Sequence, residues 1–245
     1  MDTDKKLYRP IASNNRPRIG KCSICKEENI PLVLYHIFKR IVFGSYKSDS
    51  VGYVCKECKH RIHHTIRVME NEILQNFAPT YEMIWSEFIQ NKHFPTKTLK
   101  ALVKDQFEQI RTESFSNQIN LEIDECYEEE RGIIGTCLCC NKEGVALTKH
   151  HPLRKKVFGS SNEFVFLCRD CHDLIEKVVT RFEKIVLRKF SRCNGKIWKI
   201  YVNKGSINDS EAKELARQSL VEAMNRMSSE ILLEESTNEI AVKAN

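Results

Sequence analysis

The sequence predicts an α+β protein built from two tandem copies of one small module. Each copy is a strand, a loop, a second strand and a long helix, stapled by four cysteines and continued by further helices. Three observations predict this. The frame Cys22-x2-Cys25, His36, Cys55-x2-Cys58 returns as Cys137-x2-Cys140, His151, Cys168-x2-Cys171, with each histidine eleven residues after the cysteine before it. HIFKRIVFGS from His36 and HPLRKKVFGS from His151 share five of ten residues and keep two basic positions basic. The likeness also continues past the cysteines: Trp85 and Trp198 lie 113 positions apart, and TLKALVKDQFEQI (98 to 110) aligns with EAKELARQSLVEA (211 to 223) at the same offset.

In order along the 245 residues, the sequence reads as a basic, proline-containing tail (1–20), a first repeat (21–118), an acidic linker (119–132), a second repeat (133–233) and a polar tail (234–245). Within the second repeat, VALTKHH and EFVFLC read as two strands joined by the turn PLRKKVFGSSN. Leu174, Ile175, Val178, Val179, Phe182, Ile185 and Val186 recur at helical spacing, which predicts a helix from near Cys171 to about Cys193 with Asn194-Gly195 as its stop. IWKIYV (197 to 202) alternates weakly and reads as a short strand, after which Asp209 or Ser210 caps a last helix. The duplication predicts the same order in the first repeat.

Eleven cysteines would suit a disulfide scaffold in a secreted chain, but MDTDKKLYRP lacks the apolar segment of a signal peptide. No run approaches the 18 or so apolar residues of a membrane span. A reducing, cytoplasmic compartment is therefore expected, where paired Cys-x2-Cys reads as a metal site. A two-residue gap lets both sulfurs of a knuckle face one ion, so Cys22, Cys25, Cys55 and Cys58, and again Cys137, Cys140, Cys168 and Cys171, each suit one tetrahedral structural Zn²⁺, two per chain. Cys139 lies between two of these ligands, while Cys126 and Cys193 read as free thiols and the two tryptophans as core. The formal charge of +6 is uneven: residues 132 to 205 hold fifteen Lys or Arg against six Asp or Glu, whereas 119 to 131 hold six acids and one Arg. The positive field of the second repeat predicts a polyanionic partner.

The knuckles are separated by 29 and 27 residues, more than a zinc ribbon loop requires, so something is inserted between them. In the second repeat the whole reads CLCC, LTKHHPLRK, Asn162 and LCRDCHDLIEK. Over these 40 or so residues the chain resembles the zinc-bearing subset of the HNH endonucleases of the ββα-metal class. The resemblance implies a metal-dependent endonuclease that hydrolyses phosphodiester bonds in DNA, leaving a 5′-phosphate and a 3′-hydroxyl. It implies His151 as general base, Asn162 as the residue orienting it, and His150 and His172 as ligands of one catalytic Mg²⁺ or Mn²⁺. The second helix histidine usual in the family is replaced by Glu176, one turn from His172 and able to ligate a hard cation, and Asn162 stands one residue early. Adjacent strand residues face opposite ways, so His150 and His151 can serve one site only where the strand ends or bulges. Arg154, Lys155, Lys156 and Arg169 are expected to contact DNA phosphates.

The first repeat keeps His36, but Tyr35 replaces the strand ligand and Lys59 the helix ligand, where an ammonium would repel a divalent ion. His60, His63 and His64 leave a shifted ligand set open; otherwise this copy is a zinc-stapled scaffold that binds nucleic acid or a partner. The competing reading of the whole chain is a non-catalytic tandem zinc module with the same partners. The family commonly serves restriction, phage defence and phage DNA processing, and its small members often work beside an ATPase. No phosphate-gripping glycine loop is present, so no nucleotide hydrolysis is expected of this chain. Nothing in the sequence sets an oligomeric state.

Overall fold

The computed structural model describes residues 18–38, 42, 51–92, 94–112, 133–159 and 163–243, and their side chains except at 111–112 and 227–243. The linker at 119–132, Cys126 and Asn162 lie outside the described residues. The protein is α+β, with two three-stranded antiparallel sheets and seven helices among the described residues. The first sheet is β1 (Arg18–Gly20), β2 (Ile30–His36) and β3 (Val51–Val54) in that spatial order, so the end of the expected N-terminal tail is an edge strand. The second is β4 (Ile134–Gly135), β5 (Val145–His150) and β6 (Val165–Cys168), again in chain order. The long helix α1 (Lys56–Gln75) leaves the first sheet, followed by α2 (Ala78–Asn91) and α3 (Thr96–Thr112). After β5 come the single turn α4 (Lys155–Phe158), then α5 (Arg169–Arg188), α6 (Ser191–Lys204) and α7 (Asp209–Lys243). The strand–strand–helix order and the 113-residue offset of α1–α3 against α5–α7 follow the duplication.

Four features differ from the sequence reading. The predicted stop at Asn194-Gly195 lies inside α6, and the predicted strand at 197 to 202 is part of the same helix. Cys193, Asn194, Ile197 and Tyr201 are buried along one face at helical spacing, and that burial outweighs a six-residue alternation compatible with either period. Gly195 faces open space, where a helix tolerates it. The chain instead breaks at Lys189 and Phe190, and buried Phe190 stacks on Phe107 with ring centroids 6.0 Å apart. The last helix is capped one residue before the expected cap: Asn208 accepts from the Glu211 N–H at 2.8 Å and Glu211 accepts from the Asn208 N–H at 3.0 Å, a capping box. That helix runs to Lys243 and takes in most of the expected polar tail.

The halves are interlocked. Helices α6 and α7 of the second half pack on α1 of the first, and α2 and α3 of the first half pack on α5 of the second. Each extension thus covers the other repeat's long helix. Phe77 and Tyr81 meet Phe182 edge-on at 6.2 and 4.9 Å, and in the reverse direction Thr65 and Tyr201 share a buried 2.7 Å hydrogen bond. Trp198 reaches over β3 so closely that a Cβ on Gly52 would stand 2.3 Å from its ring, and it stacks on Tyr35 at 5.6 Å. Gly52→Ala should therefore cost about 1–3 kcal/mol as the indole is displaced. For a chain of this length that is a fall of roughly 2–4 °C in melting temperature per kcal/mol. A melt indistinguishable from the parent protein would rule out this contact.

Candidate functional site

Each cysteine knuckle is a tight turn that aims backbone N–H groups at sulfur. The first turns pass through left-handed residues, Lys26 and Asn29 in one copy and Asn141 and Gly144 in the other, with Gly144 at φ 65°. Cys22 Sγ accepts from the N–H groups of Ile24 (3.5 Å) and Cys55 (3.4 Å). Burial alone would push the Cys22 thiol up, but the N–H groups of Cys55, Ile24 and Cys25 outweigh it and bring it down to about 6. Cys137 behaves alike: burial opposes, the N–H groups of Cys140, Cys168 and Cys139 prevail, and the thiol falls to about 6. Burial pushes Cys58 up to about 12 against the pull of Arg61, whose guanidinium donates to its sulfur at 3.0 Å. One thiolate per cluster is stabilised and a second is not, the deficit that a divalent cation would cancel.

The sulfurs of Cys22, Cys25, Cys55 and Cys58 lie within 4.8 Å of one another, as do those of Cys137, Cys140, Cys168 and Cys171, so each group could hold a zinc ion. Cys139 is buried at 4 % exposure outside the second group, and burial raises its thiol. Cys193 is likewise buried and raised. No described cysteine is in a disulfide.

A third set of donors sits where β5 meets α5. His150, His172 and Glu176 offer ligand atoms within 4.8 Å of one another. His150 closes β5 and is 3 % exposed, with its ring at right angles to His172 at 5.4 Å. Burial holds its pKa down to about 4 against the pull of Glu176, so the imidazole is neutral, the form that binds metal. The strand ends at His150, which frees His151 from alternation. The Nδ1 of His151 lies 3.2 Å from the Glu163 carbonyl. A carbonyl only accepts, so Nδ1 carries the proton and Nε2 keeps its lone pair. Burial lowers the His151 pKa, partly offset by that bond. The carbonyl belongs to the residue after Asn162, which lies outside the described residues.

Three neighbours of this site were not legible as such. Trp85, from the first half, stacks on His150 at 5.4 Å and 27°. Arg154 is turned inward at 14 % exposure: it donates to Glu176 at 2.5 Å, Glu183 at 2.6 Å and Thr180 at 3.0 Å. Tyr81, also from the first half, donates to Glu183 at 2.9 Å. Burial raises the Glu183 pKa against the pull of Arg154 and Tyr81, whereas for Arg154 burial is overcome by the attraction of Glu183 and Glu176 together, which holds its pKa up. Lys155, Lys156 and Arg169 are exposed, as are Lys149 and Lys177. Beside it, Trp85, Pro152, Leu153 and Phe164 line a groove of about 540 Å³, with the Lys149 ammonium 3.7 Å over the Phe164 ring.

In the first repeat the matching place is filled. Tyr35, 4 % exposed, lies between Trp198 and His63, the latter edge-on at 5.6 Å. Among the described residues, His60, His63 and His64 belong to no converging group of three metal donors. No helix of the described residues is long and apolar enough to cross a membrane. No family model, curated protein or solved structure matches this chain.

Proposed function

We propose that the second repeat is an HNH-type, metal-dependent endonuclease acting on phosphodiester bonds in DNA, and that the first is its degenerate, non-cleaving copy. The observation that carries this reading is the gathering of His150, His172 and Glu176 next to His151, whose held tautomer leaves Nε2 able to take a proton. His151 removes a proton from the attacking water as oxygen bonds to phosphorus and the bond to the 3′ oxygen breaks. His150, His172 and one oxygen of Glu176 would hold a divalent ion, while Arg154 retains the other oxygen and fixes the carboxylate's rotamer. That ion would supply positive charge to the phosphate and the departing oxygen. Two imidazoles and one carboxylate suit Mn²⁺ better than Mg²⁺, because nitrogen donors favour the softer cation. Half-buried Trp85 and buried Tyr81 brace this arrangement from the other half, which makes the first repeat part of the site. Restriction or phage defence is the setting the resemblance suggests, with an ATPase as a partner of the kind such nucleases use.

Incubation of supercoiled plasmid with the purified protein and Mn²⁺ or Mg²⁺ tests this: nicked and linear products that EDTA abolishes are expected, more with Mn²⁺. Binding without any cleavage would favour the non-catalytic zinc module, a reading supported by the 3 % exposure of His150 and the hold of Arg154 on Glu176. With Arg154 engaged inward, the phosphate contacts of this face fall to Lys155, Lys156 and Arg169. Replacing both lysines by alanine should flatten the slope of log affinity against log salt on duplex DNA by about 1.8, at about 0.9 per phosphate. An unchanged slope would mean that they only solvate the turn.

A further inference from the structure

The two long helices differ in charge on one face. Helices α1 and α5 correspond at an offset of 113 residues, set by Cys58 and Cys171. At that offset Glu176, a member of the proposed metal set, and Asp173, beside it, are replaced by His63 and His60, and Thr180 by Arg67. His60, His63, His64 and Arg67 follow the spacing of a single helix face. They line a cavity of about 630 Å³ that Arg61 also borders, with no carboxylate among its lining residues. Tyr201, from the second half, forms part of its wall and is held by its 2.7 Å hydrogen bond to Thr65. Asp209, at the start of α7, lies 3.0 Å from His64 Nε2, and Glu57 acts on Arg61. Arg61 is committed toward Cys58, whereas Arg67 is exposed.

We propose that this cavity binds a backbone phosphate of the nucleic acid, as an anion site standing where the second repeat carries Asp173 and Glu176. The inference rests on the nuclease reading for its ligand, and on the internal comparison for its location. A carboxylate such as Glu176 suits a hard divalent cation and repels a phosphate, whereas guanidinium and imidazole N–H groups donate to a phosphate. Duplicated modules present related surfaces to a related ligand, so exchanging acid for base on this face retains the substrate's phosphate and discards the metal that would cleave it. The volume is that of a small-ligand pocket, enough for a phosphate with its sugar. The two repeats would then hold one strand or duplex at two points, one cutting and one anchoring.

The test is binding of fluorescent duplex DNA across salt concentrations, in the His151→Ala background so that cleavage does not interfere. Arg67→Ala, a surface change that leaves the fold intact, should flatten the salt slope by about 0.9, so the affinity ratio between 50 and 200 mM salt shrinks about 3.5-fold. Arg67→Lys should restore most of it, and His60→Ala should weaken binding at every salt concentration. An unchanged slope and affinity in both alanine variants overturns the inference. In a parallel arm inorganic phosphate is titrated while the histidine ring signals are followed by NMR. Shifts at His60, His63 and His64 with no effect of Arg67→Ala on DNA binding identify a free-anion site and overturn the nucleic-acid assignment. If the background protein binds no DNA, this inference and the nuclease reading fall together. If the slope flattens as expected but the unsubstituted protein never cuts plasmid, only the catalytic reading falls.

Discussion

Replacing His151 by alanine is expected to reduce plasmid cleavage by roughly 10²–10⁴-fold, the usual contribution of a positioned general base. DNA affinity and zinc content should stay close to those of the parent protein. The base acts on the attacking water in the chemical step, whereas phosphate contacts supply most of the binding. The structure adds a reason to expect so clean a separation: His151 touches neither cysteine cluster, and its recorded hydrogen bond is to the Glu163 carbonyl. His36→Ala, at the corresponding position of the first repeat, should leave cleavage unchanged, because Tyr35 and Trp198 fill the place beside it where a strand ligand would stand. Cleavage abolished by His36→Ala and preserved in His151→Ala would show that the live repeat has been assigned wrongly.

Loss of a structural metal should have the largest effect on stability. Zinc in a four-cysteine site contributes apparent binding free energies of about 10–16 kcal/mol, as much as the roughly 5–15 kcal/mol by which a whole domain is stable. Treatment with a strong chelator, or Cys168→Ser alone, is therefore expected to unfold the protein. The sequence, read as two modules with their own extensions, predicts that the damaged repeat melts first. The interlocked helices predict one cooperative transition instead, because α5 cannot unfold without exposing Phe77 and Tyr81 of the first half, nor α1 without exposing Tyr201. The two tryptophans report from opposite sides, Trp85 beside His150 and Trp198 beside Tyr35. Variants retaining only one of them should give coincident melting curves on zinc removal. Two separated transitions would show that the halves fold independently.

Local chemistry was legible in the residues themselves. The two four-cysteine groups follow from spacing, because a knuckle is closed by two intervening residues; His150 and His172 as one set came from the family resemblance, and Glu176 from its place one helix turn after His172. The duplication was legible because its matches keep a nearly constant offset. The 197 to 202 segment was misread because six residues fit two periods, and only its burial against α1 selects the helix. The role of Arg154 was misjudged for a related reason. Its position after two histidines suggests a phosphate contact, but Glu183 sits two turns farther down α5 than Glu176, and only the folded chain brings both carboxylates to one guanidinium.

The sequence by itself determined that there are two homologous modules, which residues could hold metal in each, and that only the second retains the histidine pair. Only the tertiary structure decided that each helical extension covers the other module's long helix, and that Trp85 and Tyr81 of the first repeat brace the site of the second. The physical reason is that metal-ligand spacing is a short-range constraint written into consecutive residues. The choice between two equivalent apolar faces more than a hundred residues apart depends on side-chain shape and on the total area buried, which no local pattern carries.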